Sequence, residues 1–137
     1  MTREGGCLCG AVRYRARGEP TRTVVCHCTF CQRATGSAFA LWPTYSRKSL
    51  EVSGSLSGYE HRSDESGRWI RLHFCPQCGA TVTSTFEKEQ GEISVLGGTF
   101  DDTGWIRVDE HVWTRSAQHW VVIPDDALRF PKSSAST

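Results

Sequence analysis

Seven cysteines in three short clusters constrain the fold of this chain more than any other feature. The clusters are Cys7-Leu8-Cys9, Cys26-His27-Cys28-Thr29-Phe30-Cys31 and Cys75-Pro76-Gln77-Cys78. An odd number of cysteines leaves one thiol over when all the others form disulfides. Seven in 137 residues is also about 5% of the chain, below the roughly 8–10% typical of disulfide-stapled domains. The count and the clustering therefore favour metal binding over disulfides.

Length and charge set the remaining bounds. The 137 residues fit one domain with a buried core, which we place at residues 1–130, and the small polar segment 131–137 predicts a flexible tail. Sixteen Lys and Arg against 15 Asp and Glu give a formal charge of +1, so a general attraction to nucleic acid or to an anionic membrane is not expected. No apolar run approaches the roughly 20 residues that span a bilayer, and no signal peptide is evident. We expect a cytoplasmic protein without a membrane partner.

Short strand signals dominate the chain. Apolar and polar residues alternate in Ala11–Ala16 and in Trp69–Phe74, so that each segment has one apolar face. Further candidate strands are Thr23–Val25, Ser37–Trp42, Ser49–Ser53, Ser57–Arg62, Ala80–Phe86 and Glu92–Leu96. Many short strands with glycine-bearing turns between them predict an all-β domain of sandwich or rolled-sheet type.

Helix signals are scarce. One short turn is predicted over Thr29–Thr35, with Thr29 as its cap and Gly36 ending it. A second is predicted over Asp125–Leu128, after Pro124.

The Cys75-Pro76-Gln77-Cys78 cluster, followed by Gly79, has the spacing of a zinc knuckle. Two intervening residues let a tight turn direct both thiolates to one metal, and Gly79 can adopt the positive φ that such turns need. A thioredoxin-like redox pair is disfavoured because no βαβ pattern surrounds the motif. Cys7 and Cys9, one residue apart, are predicted to lie on one face of a strand that bends to bring their sulfurs together, and they can supply two more ligands. We therefore predict a closed structural zinc site on Cys7, Cys9, Cys75 and Cys78.

Cys26, Cys28 and Cys31 then remain, with no fourth cysteine available to them. Three protein ligands and one open position are the arrangement of a catalytic zinc. A small-molecule thiol is a natural fourth ligand, because it is deprotonated near neutral pH when bound to zinc. Two alternatives stay open. His27, or a residue elsewhere in the chain, could complete a second closed site, or the three thiols could be merely redox-active.

The cysteine clusters lie within the longer segments GCLCGAVRY from Gly6, CHCTFCQRATGS from Cys26 and FCPQCG from Phe74. Later pieces with the same character are Gly97–Asp102, His111–Trp113 and Trp120. Together these segments resemble the glutathione-dependent formaldehyde-activating enzyme family, which includes the centromere protein V relatives. The likeness runs from about Gly5 to Trp120.

The resemblance implies a zinc-binding β-tent, a mainly β fold of folded-over antiparallel sheets with one or two short helical turns. It implies structural zinc on Cys7, Cys9, Cys75 and Cys78, and a second zinc on Cys26, Cys28 and Cys31. It further implies a carbon–sulfur lyase similar to S-(hydroxymethyl)glutathione synthase, which condenses formaldehyde reversibly with glutathione. We therefore expect a thiol such as glutathione as co-substrate and a small carbonyl as its partner.

Addition of a thiolate to a carbonyl also needs a proton donor for the developing alkoxide. The candidates are His27, His73, Asp101 and a zinc-bound water. Glutathione carries two carboxylates, so a cation should lie near the site, and Arg33 is the predicted one because guanidinium holds a carboxylate bidentately. The plainer interpretations are a surface arginine for Arg33, a strand-face histidine for His73 and a solvated turn for Asp101.

Two other function classes remain open. A non-catalytic, zinc-stabilised binding module would keep the structural site and would not respond to thiols. Nucleic-acid binding further needs a basic face, for which Arg13, Arg15 and Arg17 form a short stripe. A redox or metal-buffering protein would oxidise its open thiol cluster reversibly and lose metal. The sequence leaves open the physiological substrate, the reaction direction, the occupancy of the second zinc site and the oligomeric state.

Overall fold

Ten strands and one α-helix form the regular structure of residues 1–134, the part of the chain that the computed structural model describes. The helix α1 spans Thr29–Thr35, and short 3-10 turns occupy Arg47–Ser49, Gly97–Thr99 and Thr114–Ser116. The strands are β1 (Thr2–Gly6), β2 (Arg13–Arg17), β3 (Arg22–Cys26), β4 (Ala40–Ser46), β5 (Leu50–Ser53), β6 (Ser57–Arg62), β7 (Trp69–Phe74), β8 (Thr81–Phe86), β9 (Glu92–Val95) and β10 (Glu110–Val112). The predicted mainly β class is confirmed.

The strands form two sheets. The smaller sheet has the order β1-β2-β5, and the larger has the order β10-β3-β4-β9-β8-β7-β6. Neighbouring strands are antiparallel except for β10, which lies parallel to β3 with His111 opposite Val25. An isolated bridge between Gly5 and Phe100 connects β1 to the loop that follows β9.

The larger sheet folds over so that its two ends approach each other. Leu72 of β7 belongs to the same cluster of buried residues as Val24 of β3 and Trp42 of β4. In a flat sheet, three strand spacings of about 4.8 Å would hold β4 and β7 roughly 14 Å apart. The sheet must therefore curl, and this is the folded-over arrangement that the sequence predicted.

Each cysteine group lies in its own buried cluster. Cys7 and Cys75 pack in a cluster that includes Val12, which precedes β2, Tyr14 of β2 and Val82 of β8. Cys26 and Cys31 belong to the second cluster, together with Trp42, Leu72 and Val112. The fold thus holds two thiol groups in two different apolar surroundings.

Some predicted elements differ from the observed ones. The strand predicted over Ser37–Trp42 begins later, as Ala40–Ser46, because the chain first leaves α1 through Gly36. Asp125–Leu128 forms a turn rather than a helical segment, with only the N–H of Ala127 bonded back to Pro124. The strand predicted to carry Cys7 and Cys9 ends before them, as Thr2–Gly6, and both cysteines lie in the turn that follows its two glycines. The three-residue strand β10 was not predicted.

The C-terminal segment runs beside β10. Trp113 donates its N–H to the Lys132 carbonyl at 3.0 Å, and the Ser134 hydroxyl lies 2.8 Å from a Glu110 carboxylate oxygen. Residues 135–137 of the predicted flexible tail lie outside the described residues, and the domain boundary at residue 130 stays a prediction. Within residues 1–134 no helix has the length and apolar character to cross a membrane.

Candidate metal centres

Two turns, Cys7–Val12 and Cys75–Ala80, share one hydrogen-bond pattern. In each, the N–H of the first cysteine donates to the carbonyl five residues later, at 3.0 Å. In each, a glycine then donates back to the carbonyl of that cysteine. These glycines, Gly10 and Gly79, have φ of 83° and 79°, a region that a residue with a Cβ atom adopts only with strain. The turns are built to present their thiols on one side.

These two turns bring four sulfurs together. The Sγ atoms of Cys7, Cys9, Cys75 and Cys78 all lie within 4.8 Å of one another. The Cys7 and Cys9 sulfurs are 3.7 Å apart, and those of Cys9 and Cys75 are 3.8 Å apart. Sulfurs bound tetrahedrally to one zinc at about 2.3 Å stand about 3.8 Å apart, whereas disulfide sulfurs stand about 2.05 Å apart. The spacing fits thiolates around a single metal ion.

Backbone N–H groups stabilise negative charge on this four-thiol cluster. The N–H groups of Val12 and Gln77 lie 3.3 Å from the sulfurs of Cys7 and Cys75, respectively. Burial opposes ionisation of Cys7, but the Val12 N–H and the neighbouring thiols outweigh it and lower its pKa to about 6. These contacts favour the thiolate form, which is the form that binds a metal cation.

The second group combines a strand end with a helix start. Cys26 is the last residue of β3, Cys28 is the N-cap of α1, and Cys31 lies in its first turn. The Sγ of Cys28 accepts the N–H of Cys31 at 3.3 Å, so the cap is Cys28 rather than the predicted Thr29. The three sulfurs lie within 4.8 Å of one another. Three soft donors thus converge from a six-residue segment.

This three-thiol cluster shares its protons unequally. Hydrogen bonds from the Cys26 and Cys31 thiols lower the pKa of Cys28 to about 3. The same contact with Cys28 raises the pKa of Cys26 to about 12, and both neighbours together with burial raise the pKa of Cys31. Negative charge in this cluster is therefore most favourable on Cys28, the one of the three residues that is only partly buried.

His27 lies between two of these cysteines but does not join their sulfurs. Its side chain is fully buried, and its Nε2 lies 3.0 Å from Nδ1 of His111 on β10. Among residues 1–134, no histidine or carboxylate lies with the three sulfurs at the same mutual distance. The alternative in which His27 closes the second site is therefore not formed.

Two other predicted proton donors lie elsewhere. Arg13 donates from Nη1 to Oδ1 of Asp101 at 3.0 Å, and the Asp101 N–H donates to the Glu4 carbonyl of β1. Asp101 therefore lies in a loop against the smaller sheet. His73 alternates with the buried Leu72 on β7 and so faces away from the second buried cluster, as the strand-face interpretation predicted. Burial lowers the pKa of His73.

Arg33 lies on the exposed side of α1. It follows Cys31 by two residues, which places it about 200° around the helix axis from that cysteine. It lines a shallow groove of about 600 Å³ with Ser37, Gln118 and Trp120. Among residues 1–134 its guanidinium has no ion-pair partner. The structure therefore places a free cation near the thiol helix but not among the thiols.

Two residues near the three-thiol cluster were missed by the sequence analysis. His61 of β6 stacks on Phe30 of α1, a contact between distant segments that periodicity does not reveal. Gln32 donates from Nε2 to the carbonyls of His27 and Ser116, at 2.9 and 3.0 Å. Its only sequence signal was its position directly after Cys31.

The predicted arginine stripe on β2 is neutralised by acidic side chains. Each arginine has one acidic partner within 4 Å, and the pairs are Arg13–Asp101, Arg15–Glu4 and Arg17–Glu51. A phosphate backbone would have to displace these partners. The stripe therefore gives little support to nucleic-acid binding.

Comparison with known proteins gives a consistent assignment. A family model described as "Glutathione-dependent formaldehyde-activating enzyme" matches residues 2–116. A Halomonas elongata protein, named provisionally as a glutathione-dependent formaldehyde-activating enzyme, is 29% identical over 129 residues, which cover 90% of this chain and 82% of the relative. An uncharacterized lyase of Schizosaccharomyces pombe is 28% identical over 79 residues, 58% of this chain. That match spans about half of the yeast protein, 54% of its length.

A solved structure shares the fold. The crystal structure of a Rhodobacter sphaeroides protein superposes with a TM-score of 0.55 at 24% sequence identity. The superposition covers 72% of this chain and 87% of that protein. At this identity the likeness concerns the fold alone.

Proposed function

This chain belongs to the glutathione-dependent formaldehyde-activating enzyme family, and we propose that it is a zinc-dependent carbon–sulfur lyase. It would form or cleave adducts between a thiol, glutathione or a similar molecule, and a small carbonyl such as formaldehyde. In the forward direction the S–H bond of the thiol breaks, a C–S bond forms to the carbonyl carbon, and the proton moves to the carbonyl oxygen. The lyase name of the yeast relative supports this reaction class.

One observation carries the proposal: the seven cysteines divide into a group of four and a group of three. Four thiolates close a tetrahedral site, whereas three leave one position for a substrate sulfur. Thiolates are the donors that soft and borderline metals such as zinc prefer. A zinc ion held by Cys26, Cys28 and Cys31 would keep a bound substrate thiol deprotonated near neutral pH.

The surrounding residues make one side of this site apolar and leave the other side accessible to solvent. Cys26 and Cys31 are buried against Trp42, Leu72 and Val112, which exclude water from behind the thiols. Cys28 is the partly exposed member, so a substrate sulfur would approach from its side. A reaction that traps a carbonyl in competition with water gains from such an apolar wall.

Two further roles are proposed, those of the proton donor and of the contact to the substrate carboxylates. Asp101 and His73 lie away from the three-thiol cluster, and the buried ring of His27 is hydrogen-bonded to His111. Of the predicted proton donors, a zinc-bound water is therefore the one that we propose. Arg33 stays our proposal for the carboxylate contact, because its guanidinium is free of acidic partners. A thiol that used both Arg33 and the metal would have to reach around the end of α1. A reducing, cytoplasmic setting would keep all seven thiols available.

The test is zinc content together with exchange catalysis. Protein purified reduced and without chelator should contain two zinc ions per chain, and Cys28→Ser should contain one. Exchange of labelled formaldehyde with S-hydroxymethylglutathione, followed by NMR, should be accelerated by the wild type and not by Cys28→Ser. Thr29→Ala, an exposed neighbour in the same segment, is the matched control. One zinc in all three proteins would refute the proposal and favour the non-catalytic binding module.

A further inference from the structure

His111 contacts the three-thiol segment through a single buried histidine. The ring of His27 is fully buried and lies nearly parallel to that of His111, with centroids 5.3 Å apart and planes 22° apart. The two rings are joined by the 3.0 Å contact between Nε2 of His27 and Nδ1 of His111. No other polar atom among residues 1–134 reaches the remaining nitrogen of His27, its Nδ1.

This pattern fixes the direction of the hydrogen bond. A neutral imidazole has one N–H donor and one acceptor nitrogen. A buried N–H without a partner is more costly than a buried lone pair, so the hydrogen belongs on Nε2 of His27 and is donated to Nδ1 of His111. His111 is therefore an acceptor that His27 requires.

The backbone of His27 is held at both ends as well. Its N–H donates to the Val112 carbonyl at 3.0 Å, and its carbonyl accepts the Gln32 amide at 2.9 Å. Cys26 and Cys28 are the residues on either side of His27. A rotation of His27 would therefore turn two of the three thiols away from their common point.

We propose that His111 is a positioning residue for the metal centre at Cys26, Cys28 and Cys31, acting through its hydrogen bond to His27. The inference rests on the proposed metal centre and adds a role for a residue that is not one of its ligands. Partners that hold a ligand segment typically change metal affinity by about 10- to 100-fold when they are removed.

The test measures metal affinity rather than turnover. A colorimetric chelator titrates the zinc-loaded protein, and the two zinc ions are resolved by their affinities. In parallel, cobalt(II) is loaded only into the weaker site, with zinc retained in the four-thiol site, so that its thiolate charge-transfer band reports the geometry of the three-thiol site. We expect His111→Leu to weaken the second metal by about 10-fold and to alter its cobalt spectrum, with the four-thiol site unchanged.

Matched variants separate positioning from general packing. In His111→Asn the amide oxygen replaces the acceptor at Nδ1, so affinity and spectrum should return close to the wild type. His111→Gln places its amide one bond further and should not rescue, which keeps the comparison decisive if His111→Leu fails to fold. His119→Leu removes an exposed imidazole from the same region and serves as the control.

The outcomes distinguish this inference from the proposed function. If wild type, His111→Leu and His111→Gln all bind two zinc ions, and the affinity for the weaker ion is the same in all three, the positioning role is overturned and the proposed function stands. Equal weakening in His111→Asn and His111→Gln would also overturn it, since the acceptor would then have no special effect. A wild type with a single zinc would overturn both.

Discussion

The ring of Phe30 stacks on the ring of His61, with centroids 4.6 Å apart and planes 27° apart. Phe30 lies on α1 between Cys28 and Cys31, whereas His61 lies on β6, the outermost strand at the other end of the larger sheet. An ion pair of 3.0 Å between Arg115 and Glu65 joins the same two ends. The larger sheet is thus closed directly over the three-thiol segment.

Removal of the His61 ring should weaken this closure. Stacked aromatic pairs contribute about 0.5–1.5 kcal/mol beyond the area that they bury, so His61→Ala should lower the free energy of unfolding by about 1 kcal/mol. Urea denaturation of the zinc-loaded protein measures this change. His119→Ala, which removes an exposed imidazole, should have little effect. Equal stability of the two variants would mean that the stack does not hold the sheet closed.

The two thiol groups should respond differently to mutation. Cys75 is fully buried in a closed cluster that ties the turn after β1 to the turn after β7, so Cys75→Ser should lose its metal and the cooperative unfolding transition with it. Cys28 is partly exposed in an open cluster, and Cys28→Ser should lose one zinc but unfold cooperatively. Thermal unfolding monitored by circular dichroism, with zinc content measured on the same samples, tests both outcomes. Similar loss of cooperativity in both variants would contradict the division into a structural and an open site.

The local periodicity of the sequence was enough to predict most strands, but not their arrangement. The alternation in Trp69–Phe74 coincides with β7, and Thr29–Thr35 coincides with α1. β10 could not be found because three residues carry no usable period, and its parallel pairing with β3 depends on a connection of more than 80 residues. Contacts across such separations are set by the whole core.

The site was predictable where ligands are close in sequence and less so elsewhere. The spacing of Cys26, Cys28 and Cys31 predicted that their sulfurs converge, and the structure places them together. The cap at Cys28 was assigned to Thr29 because hydroxyls are the commoner caps, although a sulfur can accept the same N–H. His111 lies 84 residues from His27, so their contact is visible only in the folded chain.

Asp101 gives a test of the placement of the proton donor. The Arg13 guanidinium beside it holds the pKa of this carboxyl below its usual range. A carboxyl group whose pKa is lower in the folded than in the unfolded state stabilises the protein at pH values above the unfolded pKa. This stabilisation is lost as the pH falls through the folded pKa. Because Arg13 is the cause of the lowered pKa, Arg13→Gln should raise the pKa of Asp101, as measured by NMR titration.

Asp101→Asn should leave formaldehyde exchange unchanged, because Asp101 lies away from the three-thiol cluster. A strong loss of exchange would instead show that Asp101 takes part in the reaction.

The amide of Gln32 connects α1 to the segment that follows β10. It donates to the carbonyls of His27 and Ser116 and accepts the Gln118 amide at 3.1 Å. Because a hydrogen bond contributes about 1 kcal/mol net, Gln32→Leu should lower the free energy of unfolding by about 2–3 kcal/mol. Gln118→Leu, which also removes the exposed bond from Nε1 of Trp120, should lower it by about 1–2 kcal/mol. Urea denaturation at fixed zinc concentration measures both changes.

The control for Gln32 is Gln90→Leu, since the exposed amide of Gln90 makes one long bond of 3.4 Å to the Glu87 carbonyl. Its loss should change stability by less than about 0.5 kcal/mol. The double variant Gln32→Leu with Gln118→Leu should be less destabilised than the sum of the two single variants, because both single variants remove the bond between the two amides. If the effects add fully, the two amides act independently, and Gln32 stabilises the thiol segment only through the His27 and Ser116 carbonyls.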